Sequence, residues 1–132
     1  MIGWFICFHL NGTNDSLSKM KFDSLRVKAQ KLINTPEEIL YLDSMLQLAQ
    51  AIDSVHWQSQ TISFMARNYY NRIYPDSLMY WASKLDTLAL RHKHYKEFFD
   101  VFSLVCSWEL YDKNYDSALD KANRLYQLAK DL

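Results

Sequence analysis

Glycine and proline are nearly missing, two of each in 132 residues. Both interrupt helices, so their scarcity predicts long helices joined by tight connections, and an all-α chain. Cysteine is as scarce. Cys7 and Cys106 lie in segments of different character and form no Cys-x-x-Cys unit, which removes a zinc finger or a thioredoxin-like motif and leaves Cys106 as a small buried apolar residue. Neither sign of charge is in excess: 15 basic and 15 acidic residues cancel without forming a block, so no nucleic-acid partner is expected. No apolar run reaches the roughly 18 residues of a membrane span.

The residues of catalysis are missing as well. With only Gly3 and Gly12 there is no phosphate-binding loop, and no Gly-x-Ser-x-Gly or Cys/His pairing offers a nucleophile. His92 and His94 stand two apart in a polar connection, without the i, i+4 partner a helix uses to present a metal. His56, beside Trp57, reads as a first-turn polar residue. The expectation is a chain that is not an enzyme and carries no cofactor and no metal.

What is present is one segment written twice. Asp76-Ser77-Leu78 and Asp116-Ser117-Ala118 begin alike 40 residues apart, and the set Leu78, Ala82, Leu85, Ala89 recurs as Ala118, Ala122, Leu125, Ala129. Spacings of four, three and four residues put each set on one stripe of a helix. A weaker third copy places Leu42, Met45 and Ala49 at the same shift, with Glu38 where Leu78 leads one to expect an apolar residue. A stripe that recurs at such a period marks a helical array, each unit burying its apolar face on its neighbours.

Residues 1–14 form a separate segment: apolar Met1 to Leu10, then the turn-like Asn11-Gly12-Thr13-Asn14. It reads as an apolar arm or a leader remnant. A leader would imply a periplasmic or other extracytoplasmic location, an arm a cytoplasmic one. Residues 15–132 then hold six helices. The first starts at Asp15 or Ser16 and carries Leu17, Met20, Leu25, Val27, Ala29 and Leu32. Thr35-Pro36-Glu37-Glu38 starts the second, which runs to about Ile52. The third covers Val55 to Arg72 with Ile62, Met65, Ala66, Tyr69 and Ile73 on one face; the fourth covers Asp76 to Leu90. The fifth, Tyr95 to Tyr111, is lined by Phe98, Phe99, Phe102, Val105, Cys106 and Leu110, and the sixth spans Tyr115 to Lys130. Connections of two to four residues make neighbours antiparallel, giving three helical hairpins.

Two stretches, Met65-Ala66-Arg67-Asn68-Tyr69-Tyr70 before Pro75-Asp76-Ser77-Leu78 and Cys106-Ser107-Trp108-Glu109-Leu110-Tyr111 before Tyr115-Asp116-Ser117-Ala118, resemble tetratricopeptide repeats. In that family a large and a small residue open the crossing point of helix A, here Met65 with Ala66 and Cys106 with Ser107. A large residue follows three on, here Tyr69 and Leu110, and Tyr115 with Ala118 open helix B. Departures are the absent turn glycine, Leu78 for a small residue, Pro75 for an aromatic, and a period near 40 instead of the usual 34. The longer period resembles the variant in sensor regions of bacterial two-component kinases and regulators.

The resemblance implies an α-α superhelix, a tetratricopeptide-like solenoid, with a concave helix-A face that holds an extended peptide. Carried over by position, that face is Gln60, Ser63, Arg67 and Tyr70 from the third helix and Val101, Leu104, Trp108 and Tyr111 from the fifth. The first functional reading is a non-catalytic module binding a protein or peptide partner, as a fragment of a larger signalling protein. A sensory or dimerisation region, with a homodimer as partner, is the second; a small helical ligand binder or enzyme is the third. Leu119 and Tyr126 occupy a second face of the sixth helix, which predicts that something covers it.

Overall fold

The computed structural model describes the backbone of residues 2–132 and the side chains from Ser16 onward. It is all-helical: α1 (Ile2–Gln30), α2 (Pro36–Ala51), α3 (Val55–Asn71), α4 (Pro75–Arg91), α5 (Tyr95–Tyr111) and α6 (Tyr115–Asp131). The N-terminal arm or leader expected over residues 1–14 lies outside the residues whose side chains are described. Ser16 is inside α1, which corrects the expected start at Asp15 or Ser16. Elsewhere the expected bounds hold to within a residue or two.

One connection recurs along the chain. Asn34, Asp53, Ile73, Lys93 and Lys113 take φ values of 54 to 63°, spaced 19, 20, 20 and 20 residues apart. After α2, α3, α4 and α5 the turn closes with the same paired bonds, as in Tyr74 N–H to the Tyr69 carbonyl (2.9 Å) and Ile73 N–H to the Tyr70 carbonyl (3.1 Å). This is the Schellman termination, which occupies helix-end carbonyls and is ordinarily made with glycine. No glycine serves here. The residue after each left-handed position is already the cap of the next helix, so Ser54, Tyr74, His94 and Asn114 each accept the first bond of α3, α4, α5 and α6. Identical three-residue joints between helices of equal length repeat one packing geometry, and repetition of one geometry is what makes a solenoid.

Caps follow the local chemistry. Thr35 Oγ1 accepts from Glu38 N–H and Ser54 Oγ from Trp57 N–H, both at 3.3 Å. Pro75 is the first residue of α4, where its missing N–H costs nothing, so that helix starts one residue earlier than expected.

Each helix packs on the next in sequence, and α3 also lies along α5; among the described residues neither α1 nor α2 packs on α5 or α6. The array is therefore open, a superhelix of hairpins instead of a closed bundle. Its core runs continuously from Phe22 and Ala29 through Leu42, Met45 and Ala49, Ile62, Met65 and Ala66, and Leu78, Ala82, Leu85 and Ala89 to Phe98, Val101, Phe102 and Val105. Phe22, which the α1 pattern passed over, stacks on Trp57 with ring centroids 4.5 Å apart, while Leu17, Met20 and Val27 are exposed.

The joints also set the register between repeats, and this corrects the reading of α5. Counted from the left-handed residues, Met65 and Ala66 match Val105 and Cys106, not Cys106 and Ser107. Val105 is buried, Cys106 half-buried, and Ser107 exposed. The position of Tyr69 is taken by Glu109, and Leu110 is exposed. A slip of one residue turns a helix by about 100°, which is enough to carry Val101, assigned from the wrong frame, into the core.

The sixth helix brings a second correction. In α4 the stripe Leu78, Ala82, Leu85, Ala89 is fully buried, but in α6 only Ala118 is; Leu125 is half-buried and Ala122 and Ala129 are exposed. α5 covers the stripe of α4, and among the described residues no helix covers that of α6. Ala122 therefore lies outside the contact of α6 with α5, and a large residue there should leave the last hairpin folded.

Candidate functional site

Because α3 and α5 occupy equivalent places in successive hairpins, they run parallel and leave a channel between them. Its main part is an open groove of about 540 Å³, with Gln60, Ser63, Phe64 and Arg67 on one wall and Asp100, Ser103 and Leu104 on the other. Four of the eight residues expected on this face, Gln60, Ser63, Arg67 and Leu104, thus meet. Val101 does not: it is fully buried in the core, at the place that buried Thr61 holds on α3. The remaining three, Tyr70, Trp108 and Tyr111, gather one turn further on, where with Asn71 and Ile73 they line a second cavity of about 280 Å³. The Trp108 and Tyr111 rings lie 5.4 Å apart, tilted by 38°, and Tyr111 is 77% exposed.

Arg67 is held by an arrangement that starts with the misfit at Glu38. That side chain is buried to 1% exposure, where an unpaired carboxylate would be costly. Asn68, itself buried, donates from Nδ2 to Glu38 Oε1 (3.0 Å) and to the Thr35 carbonyl (2.9 Å), while Arg72 Nη1 donates to Asn68 Oδ1 (3.3 Å). Arg67 Nη2 stands 3.8 Å from Glu38 Oε2, and its guanidinium lies over the Phe64 ring, 5.1 Å from the centroid. Behind it, Arg26, Glu38 and Arg67 share a small cavity of about 60 Å³ with Ala29, Leu42 and Phe64. The Arg67 Nε–H is buried and makes no hydrogen bond. Arg67 therefore lines the groove with its positive charge already balanced from behind.

The other end of the groove is defined by His56 and His94, at the starts of α3 and α5, whose rings lie 5.5 Å apart. Lys96 donates to Asp100 at 2.7 Å, and this bond, with the carboxylate charge, holds the ammonium pKa above its ordinary value. These charges also cancel within the groove. Cys106 is free, and burial, reinforced by the Glu109 carboxylate, raises its thiol pKa, which disfavours the thiolate that a nucleophile needs. Among the described residues no three His, Cys, Asp or Glu side chains converge on a point, and no helix is long and apolar enough to cross a membrane.

Phe64, Asp100 and Ser103 belong to the groove and were missed. They would have been found by aligning the two A helices on the turn residues Asp53 and Lys93, a signal that is silent when the turn lacks glycine. Glu38 was noticed only as a departure from an apolar pattern.

No protein-family model matches the chain, and no curated protein or solved structure matches it either, so the tetratricopeptide-like resemblance rests on the residues and hairpins described above.

Proposed function

We propose that the chain is a non-catalytic, tetratricopeptide-like interaction module whose α3–α5 channel holds an extended peptide segment of a protein partner. One observation carries this reading: an open groove between parallel helices, lined by the half-exposed Arg67 whose charge Glu38 balances from behind. Glu38 already compensates the charge of Arg67, so the site suits neutral carbonyls of a main chain over phosphate. Gln60, Ser63 and Ser103 add polar groups along the path, and Phe64, Leu104, Trp108 and Tyr111 supply the apolar and aromatic area that anchors interfaces.

From Gln60 to Ile73 the channel is about 20 Å long, enough for about six extended residues. The 20-residue spacing of the joints supports the longer-period form of the resemblance, and with it a place in a sensor or regulatory protein.

Selection of displayed random peptides against the whole chain, followed by fluorescence anisotropy of the winners, tests the assignment. Arg67→Ala and Trp108→Ala should each weaken binding about tenfold or more; Trp108→Ala should lower the melting temperature much less than Phe102→Ala in the core, whereas Arg67→Ala should also lower it because it leaves the buried Glu38 without its cation. Peptides whose affinity ignores both substitutions would show that the channel is not the binding site.

A further inference from the structure

The outer face of α6 carries an apolar seam that belongs neither to the core nor to the groove. Tyr115, Leu119, Ala122, Tyr126 and Ala129 follow one another at steps of four, three, four and three residues, all exposed. That spacing averages 3.5 residues, the repeat that keeps one helix in continuous register with another. The inner faces of the same helix are occupied: Lys121 bonds Glu109 of α5, and Arg124 bonds Asp86 of α4 at 2.7 Å while lying over the Phe98 and Phe102 rings. Asp116 and Lys130, on one edge of the seam, make no ion pair among the described residues.

Laid antiparallel on a second copy of itself, this seam is self-complementary in size and in charge. Leu119 falls opposite Ala129 of the second copy, and Ala122 opposite its Tyr126; the two-fold axis repeats both pairs, so each layer sets one large side chain against one alanine. The same register brings Asp116 opposite Lys130 at both ends of the seam and Asn123 against its own copy at the axis, where two amides can exchange hydrogen bonds. The exposed seam of α1, formed by Leu17, Met20 and Val27, offers no such match. In the matching register it sets Leu17 against Val27, two large residues, and Met20 against the polar Ser24, and it is flanked by Lys19, Lys21 and Lys28.

We propose that the chain associates as a two-fold dimer through the outer face of α6, with its partner a second copy in antiparallel register. This assignment is independent of the peptide-binding role of the α3–α5 channel. Sedimentation of the full chain over a concentration series should show a monomer–dimer equilibrium that stops at the dimer. Asp116→Lys sets lysine against lysine twice per dimer and should weaken association about tenfold; Lys130→Asp should do the same with acids, and the double exchange should restore association to within about threefold of wild type. Ala122→Glu should abolish the dimer while far-ultraviolet circular dichroism of the dilute protein stays unchanged. A monomer at every concentration would overturn the proposal, as would association that continues past the dimer, or a dimer lost on Met20→Asp in α1 but indifferent to Asp116→Lys.

Discussion

The hairpins α3–α4 and α5–α6 share helix length and the same Schellman joint, yet they are finished differently. In the first, Tyr69 packs edge-on against Tyr74 and the whole stripe Leu78, Ala82, Leu85, Ala89 is sealed between α3 and α5. In the second, the place of Tyr69 is held by Glu109, and that of Trp81 by Lys121. Glu109 and Lys121 bond each other, and both bond Ser117, Glu109 at 2.9 Å and Lys121 at 2.8 Å. The matching stripe lies mostly in solvent. The contrast shows that a repeat unit specifies its own turn and hairpin, whereas burial of its outer stripe is conferred by the next unit. It also shows a polar pin joining α5 to α6 at the places that Tyr69 and Trp81 hold in α3 and α4.

The largest effect that tests this contrast is in the paired leucines. Leu85→Ala, at a fully buried position, should cost about 2–5 kcal/mol in chemical denaturation, and Leu125→Ala, half-buried at the matched place, about 1 kcal/mol or less. Equal losses would mean that α6 is as sealed as α4. Next comes the pin. Glu109→Ala should cost about 1–2 kcal/mol, because Lys121 and Ser117 lose their acceptor but Lys121, 30% exposed, can turn to water. Replacing Glu109 by Tyr together with Lys121 by Trp converts the joint to the α3–α4 chemistry and should recover most of that loss; failure to do so would mean the two interfaces differ in backbone geometry and not only in side chains.

The smallest effect concerns the turns themselves. Ile73 at φ 63° is β-branched in a region that costs L-residues about 1–2 kcal/mol, whereas Lys113 at φ 61° carries an unbranched side chain. Ile73→Gly should therefore stabilise by roughly 0.5–1 kcal/mol and Lys113→Gly by less, since glycine gives back part of the gain as backbone entropy. A loss of stability at Ile73 would show that its side chain, 67% exposed at the rim of the Trp108 cavity, contributes packing that outweighs the strain.

The apolar stripes and the 40-residue shift made the six helices, and all their bounds but the start of the first, legible, because proline, capping residues and polar joints act locally. The groove was half legible. Gln60, Ser63 and Arg67 lie on α3, whose crossing pair Met65-Ala66 is unambiguous. In α5 the run Val105-Cys106-Ser107 offers two adjacent large-then-small steps, and the wrong one rotated the assignment by a residue, sending Val101 into the core. Glu38 was visible as an exception without a reason until Asn68 and Arg67, 30 and 29 residues away, were seen beside it.

The amino-acid order by itself determined that this chain is helical, where the helices after the first begin and end, and that successive hairpins are alike, since those outcomes depend on interactions within about four residues. Tertiary structure alone decided which of two equal-looking stripes is buried, how a lone acid became the support of an arginine, and which wall of α5 faces α3. Those depend on what lies across an interface, and residues far apart in sequence meet there only after the joints have set the angle between helices.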